Sequence, residues 1–203
     1  MNAVLNEIQR DGTTLLPNGS RAHAHSGVGQ ASGEVLRRAV QRAAPRLGCE
    51  VGLAFGISSL HILEAMEPFG ARLIGMDPAQ HDGTWQGGGL YNIERAGYAD
   101  RYEFHEKPSQ TVLPQLCAGG TRIQFAFIDG WHTFDHTLVD FFYLDRMMDV
   151  GGMLVLDDVD YPAIRRLAHF IVANRSYRLV EADARPAATG WRSKVKKLSL
   201  IHI

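Results

Sequence analysis

Acids, glycines and one histidine stand at the ends of apolar runs in this chain, and their types limit the chemistry available there. The stretch Cys49-Glu50-Val51-Gly52-Leu53-Ala54-Phe55-Gly56 is an apolar run that meets an acid and then frames three residues between two glycines. Asp77 closes a second run, Ser109 follows a third, Asp129 with Trp131 and His132 closes a fourth, and Asp157 with Asp158 a fifth. A glycine turn between strand and helix lets a ligand approach bare backbone, where the first N–H groups of the helix lack partners and carry partial positive charge. Such a corner suits a nucleotide or a carboxylate. Asp77 lies about 20 residues past the turn, the distance at which a strand-end carboxylate can accept both hydroxyls of a ribose. Unpaired carboxylates repel one another and resist desolvation, so the gathered acids ask for a cation. A hard divalent metal such as Mg²⁺, held by carboxylates and waters, is one candidate. A histidine side chain, which in water titrates at about 6.5, suits a base at neutral pH, and His132 is the candidate. Each residue also has a plainer reading: the glycines of any tight βα turn, Asp77 and Asp129 as caps, His132 as a bystander at a helix N-terminus.

These residues need a scaffold that brings strand ends together. After Gly56 the apolar residues Ile57, Leu60, Leu63 and Met66 recur every three positions, which predicts a helix after a first strand over 47–53. Further strands are expected over 71–76, 101–105, 123–128 and 153–156, the fourth apolar on nearly every position as a strand buried on both faces should be. Helices are expected over 33–44, 90–96, 109–116 and 134–148, and after Asp160 and Pro162, with Ser109 as an N-cap and Val150-Gly151-Gly152 as a turn. Pro114 sits awkwardly in its helix. Strands over 177–182 and 194–203 are joined without a helix and should pair antiparallel. In an open α/β sheet, ligands bind at the carboxyl ends of the strands, where all the residues above fall.

The glycine turn fits neither a dinucleotide fingerprint, since Ala54 and Ile57 replace its later glycines, nor a P-loop, since no Gly-Lys-Ser/Thr occurs. The remaining pattern, E-x-G-x-x-x-G, resembles the first motif of class I S-adenosylmethionine-dependent methyltransferases. That ligand has a zwitterionic amino-acid end and a cationic sulfur, a second reason for acids to gather. Five βα units followed by an antiparallel hairpin is also that class's layout: a Rossmann-like α/β fold with a mostly parallel seven-stranded sheet. Ser109-Gln110 followed by Val112 to Leu116, then Asp129-Gly130-Trp131-His132, then Asp157-Asp158-Val159, resembles the catechol-O-methyltransferase type and bacterial natural-product small-molecule methyltransferases. The resemblance covers roughly 50–159. It implies that Glu50, Gly52, Ala54, Gly56 and Asp77 face the cofactor, that Ser109 and Gln110 lie near its adenine with Trp131 beside it, and that Asp129 meets both cofactor and metal. It further implies that Asp157 and Asp158 complete the metal site and that His132 stands where the family has a lysine base. His132 for lysine and Asp158 for asparagine are departures. The implied activity is O-methylation of a small molecule, assisted by a divalent cation, with Mg²⁺ expected.

The chain has 203 residues, 45% of them hydrophobic and 21% charged, enough for one domain over 33–203 behind an irregular N-terminal arm, 1–32. The arm reads either as a loose terminus or as a cover over the site. A net charge of −1 gives no electrostatic support to a nucleic-acid or membrane partner, and the basic stretch 192–197 reads as a strand's solvated face. Cys49 and Cys117 form no C-x-x-C pair, and no signal or spanning segment is evident, so a reduced, cytoplasmic setting is expected. Room is left for a homo-oligomer without specifying one. Three rival readings stand beside the methyltransferase: a nicotinamide-dependent oxidoreductase, a non-catalytic Rossmann-like binding module, and a metal-dependent hydrolase using Asp129, His132 and His136. Against them stand the altered glycine turn, the intact set of strand-end acids, and the absence of an H-E-x-x-H arrangement.

Overall fold

A computed structural model describes residues 2–182 and 198–202. In chain order the elements are α1 (Ala3–Asp11), β1 (Thr13–Leu15), β2 (Arg21–His23), α2 (Gln30–Ala43), β3 (Leu47–Val51), α3 (Ile57–Met66), β4 (Arg72–Met76), α4 (Gly88–Arg95) and β5 (Tyr102–His105). These are followed by α5 (Ser109–Ala118), β6 (Ile123–Ile128), α6 (Phe134–Met147), β7 (Met148–Asp157), α7 (Pro162–Asn174), β8 (Arg178–Ala182) and β9 (Leu198–His202). Seven strands form one sheet in the order β5-β4-β3-β6-β7-β9-β8. The first five are parallel, and β9 pairs antiparallel with both β7 and β8. This is the expected Rossmann-like layout with its terminal antiparallel pair.

The alternation of side chains along each strand divides the core into two. Phe125, Phe127, Met153 and Val155 face a layer containing α1, α2 and α3, while Ala126, Ile128, Leu154 and Leu156 face α5, α6 and α7. Both faces are covered, which is why these strands carry apolar residues at nearly every position. Helix α3 is buried on all sides except at Glu64, and its buried positions include the polar Ser58, Ser59 and His61 beside its apolar residues.

Strand register, more than any single contact, assembles the functional edge. Glu50 pairs with Gly75, Val51 with both Met76 and Ile128, and Ile128 with Leu156. The residues that follow, Gly52, Asp77, Asp129 and Asp157, therefore leave the sheet side by side. Gly52 N–H donates to Met76 O at 2.9 Å and Asp129 N–H to Val51 O at 2.9 Å, which carries the alignment one residue beyond the strands.

Several expectations need correction. The N-terminal segment is not irregular. Asn2 caps α1, its side chain accepting from Val4 N–H at 3.0 Å, and Gly12 ends the helix in the left-handed region. Val4, Leu5 and Ile8 of α1 are buried in the core. The signal was there in α1's apolar spacing, but it was hidden behind the glycines of the following hairpin. Val150-Gly151-Gly152 does not separate helix from strand: it lies inside β7, where the pairing with β6 shifts register and Gly151 takes φ 90°. Ser109 is the first residue of α5 rather than its cap, a place held by Pro108, and Pro114 is accommodated inside that helix. The connector expected over 183–193 and the basic stretch 192–197 lie outside the described residues. Among the described residues no helix is long and apolar enough to cross a membrane.

Candidate functional site

The glycine turn between β3 and α3 is held in a shape that only its sequence permits. Gly52 has φ 92°, and a Cβ there would lie 2.2 Å from the carbonyl oxygen of Asp129, so β3 and β6 could not close together with any side chain at this position. Ala54 also occupies the left-handed region, at φ 48°. Asp77 holds this backbone in place. Its Oδ2 accepts from the N–H groups of Leu53 and Ala54, both at 3.0 Å, and its Oδ1 accepts from Ala79 N–H at 2.9 Å. A second set of polar groups, which the sequence reading did not single out, supports the turn from behind. Gln80 Nε2 donates to Ala54 O at 2.9 Å while its Oε1 accepts from Gly89 N–H at 2.8 Å, and Asn92 Nδ2 donates to Phe55 O at 3.0 Å. Gly88 and Gly89, which precede the helix expected over 90–96, are instead the first residues of α4 and press directly on the turn, where a Cβ on Gly89 would lie 2.4 Å from Ala54 O.

Glu50 lies behind the turn. It is fully buried, it does not line the cavity described below, and its carboxylate accepts from Ser58 Oγ at 2.6 Å and from Ser59 Oγ. Burial pushes its pKa up to about 7 against those two hydrogen bonds. Its place supports a structural part in fixing the start of α3, in contrast to the expected direct contact with a ligand.

A cavity of about 390 Å³ opens along the carboxyl ends of β3, β4 and β6, within the size range of small-molecule sites. Gly52 and Ala54 line it with Ile57 and Ser58, the first residues of α3, and so do Asp77, Ser109, Asp129, Trp131 and His132. The cavity thus gathers most of the expected site residues. Gly56 and Gln110 are not among the lining residues, and Gln110 is exposed. The N-terminal segment completes one wall with Ser26 and Gly27, the latter so close to Ile57 that a Cβ would meet Ile57 Cδ1 at 2.5 Å. Beside them Trp85 also lines the cavity, with its ring edge-to-face with Phe55 at 5.1 Å and 5.3 Å from the ring of His25. The segment before α2 therefore folds over the site.

At the opposite end, Asp129, His132 and Asp158 each bring one possible ligand atom within 4.8 Å of the others. His132 Nδ1 lies 3.2 Å from Asp158 Oδ2, and the His132 ring stacks on Tyr161. Asp158 sits at φ 51°. Asp157, expected as a ligand, is not in this group, and its Oδ1 accepts from Asp158 N–H at 2.7 Å. Nor is His136, whose Nδ1 lies 2.9 Å from Thr133 Oγ1, so the pair of histidines suggested by their spacing does not converge with Asp129 among the described residues. Two aspects of this end were not legible in the chain. Thr137 Oγ1 donates to Trp131 O at 3.1 Å and to Thr133 O at 2.7 Å, bracing the loop that carries His132. Asp140, in the helix expected over 134–148, is a buried acid that burial pushes up to about 6.

Residues 49–159 match the family model described as "Methyltransferase domain". Among solved structures, an O-methyltransferase from Bacillus cereus in complex with SAH (the demethylated product of S-adenosylmethionine) is similar over 100% of this chain and 92% of its own, with TM-score 0.76 and 18% identity. TomG, an O-methyltransferase from Streptomyces achromogenes involved in tomaymycin synthesis and solved with SAM, matches over 89% of this chain and 82% of its own, with TM-score 0.68 and 18% identity. The SAH-bound Podospora anserina methyltransferase PaMTH1 matches over 100% and 88%, with TM-score 0.71 and 14% identity. At these identities the likeness establishes the fold. No curated protein matches the sequence.

Proposed function

This chain belongs to the methyltransferase domain family, and from that premise we propose that it moves the methyl group of S-adenosylmethionine to a hydroxyl oxygen of a small molecule. The observation that carries this reading is the continuity of one cavity from the glycine turn and Asp77 to Asp129 and His132. The first turn of α3 supplies backbone N–H groups without helical partners, suited to a ligand carboxylate. A carboxylate offers about four acceptor sites; Asp77 uses three of them on backbone. It therefore retains capacity for one ribose hydroxyl, where two were expected. Ser109 and Trp131 form the wall for the adenine.

The donor, when bound, supplies a methyl group already activated by the sulfonium, so the protein's task is to align an acceptor oxygen and remove its proton. We assign the proton to His132, with Asp158 holding its Nδ1. A specific observation favours a second reading, in which a metal assists. Asp129, Asp158 and His132 form a mixed oxygen and nitrogen donor set, which suits Mn²⁺ or Zn²⁺ better than the all-oxygen preference of Mg²⁺. A metal held there would lower the pKa of a bound hydroxyl, and His132 would then serve as a ligand.

The test is methyl transfer from labelled S-adenosylmethionine to a set of catechols, phenols and amines, with and without EDTA. Transfer to a hydroxyl is expected to survive EDTA and to fall about 10²- to 10⁴-fold in His132→Gln, the usual size of a general-base contribution. Loss in EDTA with recovery on Mn²⁺ would favour the metal reading, and transfer to amines alone would overturn the choice of oxygen.

A further inference from the structure

The turn after β7 holds His132 from two directions. Asp158 Oδ2 lies 3.2 Å from Nδ1. The Tyr161 ring lies nearly parallel to the imidazole, with centroids 5.4 Å apart and planes inclined by 12°. Asp158 and Tyr161 are themselves tied together, since Tyr161 N–H donates to Asp158 O at 2.8 Å. Pro162, the first residue of α7, restricts the backbone just beyond. Tyr161 is the N-cap residue of α7, yet its side chain makes no capping hydrogen bond and is half exposed, so the helix start does not call for a tyrosine. What the ring does contribute is a flat surface for His132.

We propose that Tyr161 is a positioning residue for methyl transfer, its ring fixing the plane of His132 while Asp158 fixes Nδ1. A carboxylate at Nδ1 selects the neutral tautomer that carries its proton there, which leaves the Nε2 lone pair for the acceptor's proton. The preferred acceptor is one whose hydroxyl is brought to a fixed imidazole, and a ring free to swing would meet it less often. This inference rests on the assignment of His132 as the base.

The experiment compares Tyr161→Phe, Tyr161→Leu and His132→Gln in the full chain. Titration with SAH checks that each variant still binds as the parent does. NMR of the histidine side chains, with the His132 signals identified by their loss in His132→Gln, needs no acceptor. The stack predicts ring-current-shifted His132 protons and an Nδ1–H tautomer that persist in Tyr161→Phe and are lost in Tyr161→Leu. With catechol as the probe acceptor, kcat should fall about 10- to 100-fold in Tyr161→Leu, the scale expected when a reacting group is displaced by about 1 Å, while Tyr161→Phe restores it and SAH affinity does not move. Unchanged His132 signals in Tyr161→Leu overturn the proposal. So does an unchanged kcat in Tyr161→Leu when His132→Gln is inactive, and that result leaves the base assignment standing. If His132→Gln itself retains transfer, the base assignment fails and the role of Tyr161 fails with it.

Discussion

Glu50 has no exposed surface, and its only described partners are the hydroxyls of Ser58 and Ser59 at the start of α3. Burial raises it from its ordinary 4.5 to about 7, so between those values the folded chain holds a proton that the unfolded chain has released. Its contribution to stability is therefore full below about 4.5 and declines as pH rises to about 7. His61 has the opposite sign. Burial lowers it from 6.5 to about 4, so its contribution is lost as pH falls through that window. Comparing Glu50→Gln with the parent isolates the first effect: the parent should lose melting temperature from pH 5 to pH 8 relative to the variant, and parallel pH profiles would show that no proton is held at Glu50. The acid was visible in the sequence as part of a ligand-binding motif. Its burial was not, because nothing in one chain's spelling separates an acid that faces a cavity from one that faces two serines eight and nine residues ahead.

At the scale of elements, periodicity carried most of the information. The strand over 123–128 and the start of the helix at Phe134 fall where their apolar patterns place them, since a sheet covered on both faces leaves little freedom in composition. The misplacements have local causes: a bulge that keeps Gly151 and Gly152 inside β7, and a glycine pair, Gly88 and Gly89, that opens α4, where a Cβ on Gly89 would meet the backbone of the glycine turn. Gly52→Ala tests how strictly that turn is specified. The new Cβ would meet backbone, which cannot give way as a flexible side chain could, and φ 92° is unfavourable for alanine. A stability loss of about 2 kcal/mol or more is expected, with SAH binding lost, as measured by denaturant unfolding and calorimetry. Gly83→Ala, where a Cβ meets nothing within 4 Å, should be nearly silent and serves as the control.

For the molecule as a whole, residues 2–32 pack against the same body as the sheet. Leu5 and Ile8 are buried in the core cluster that contains α3, and Gln9 Nε2 lies 3.1 Å from the Nε2 of buried His61. Ile8→Ala should therefore cost about 2–5 kcal/mol in a single unfolding transition; a near-zero cost would mean that the segment is an independent arm. Which residues gather at the sheet's edge was largely legible, since strand ends can be read from apolar runs and the residues after them follow. What could not be read was which of these residues share a cluster: register and turn shape put His132 with Asp129 and Asp158, and leave out Asp157. Whether this cavity takes the adenosyl cofactor is decided by calorimetric titration of SAH, with NAD⁺ as the comparison. Micromolar binding of SAH is expected, weakened at least about tenfold, or about 1.4 kcal/mol, in Asp77→Ala, with no binding of NAD⁺. Binding of NAD⁺ without SAH, or SAH binding indifferent to Asp77, would contradict it.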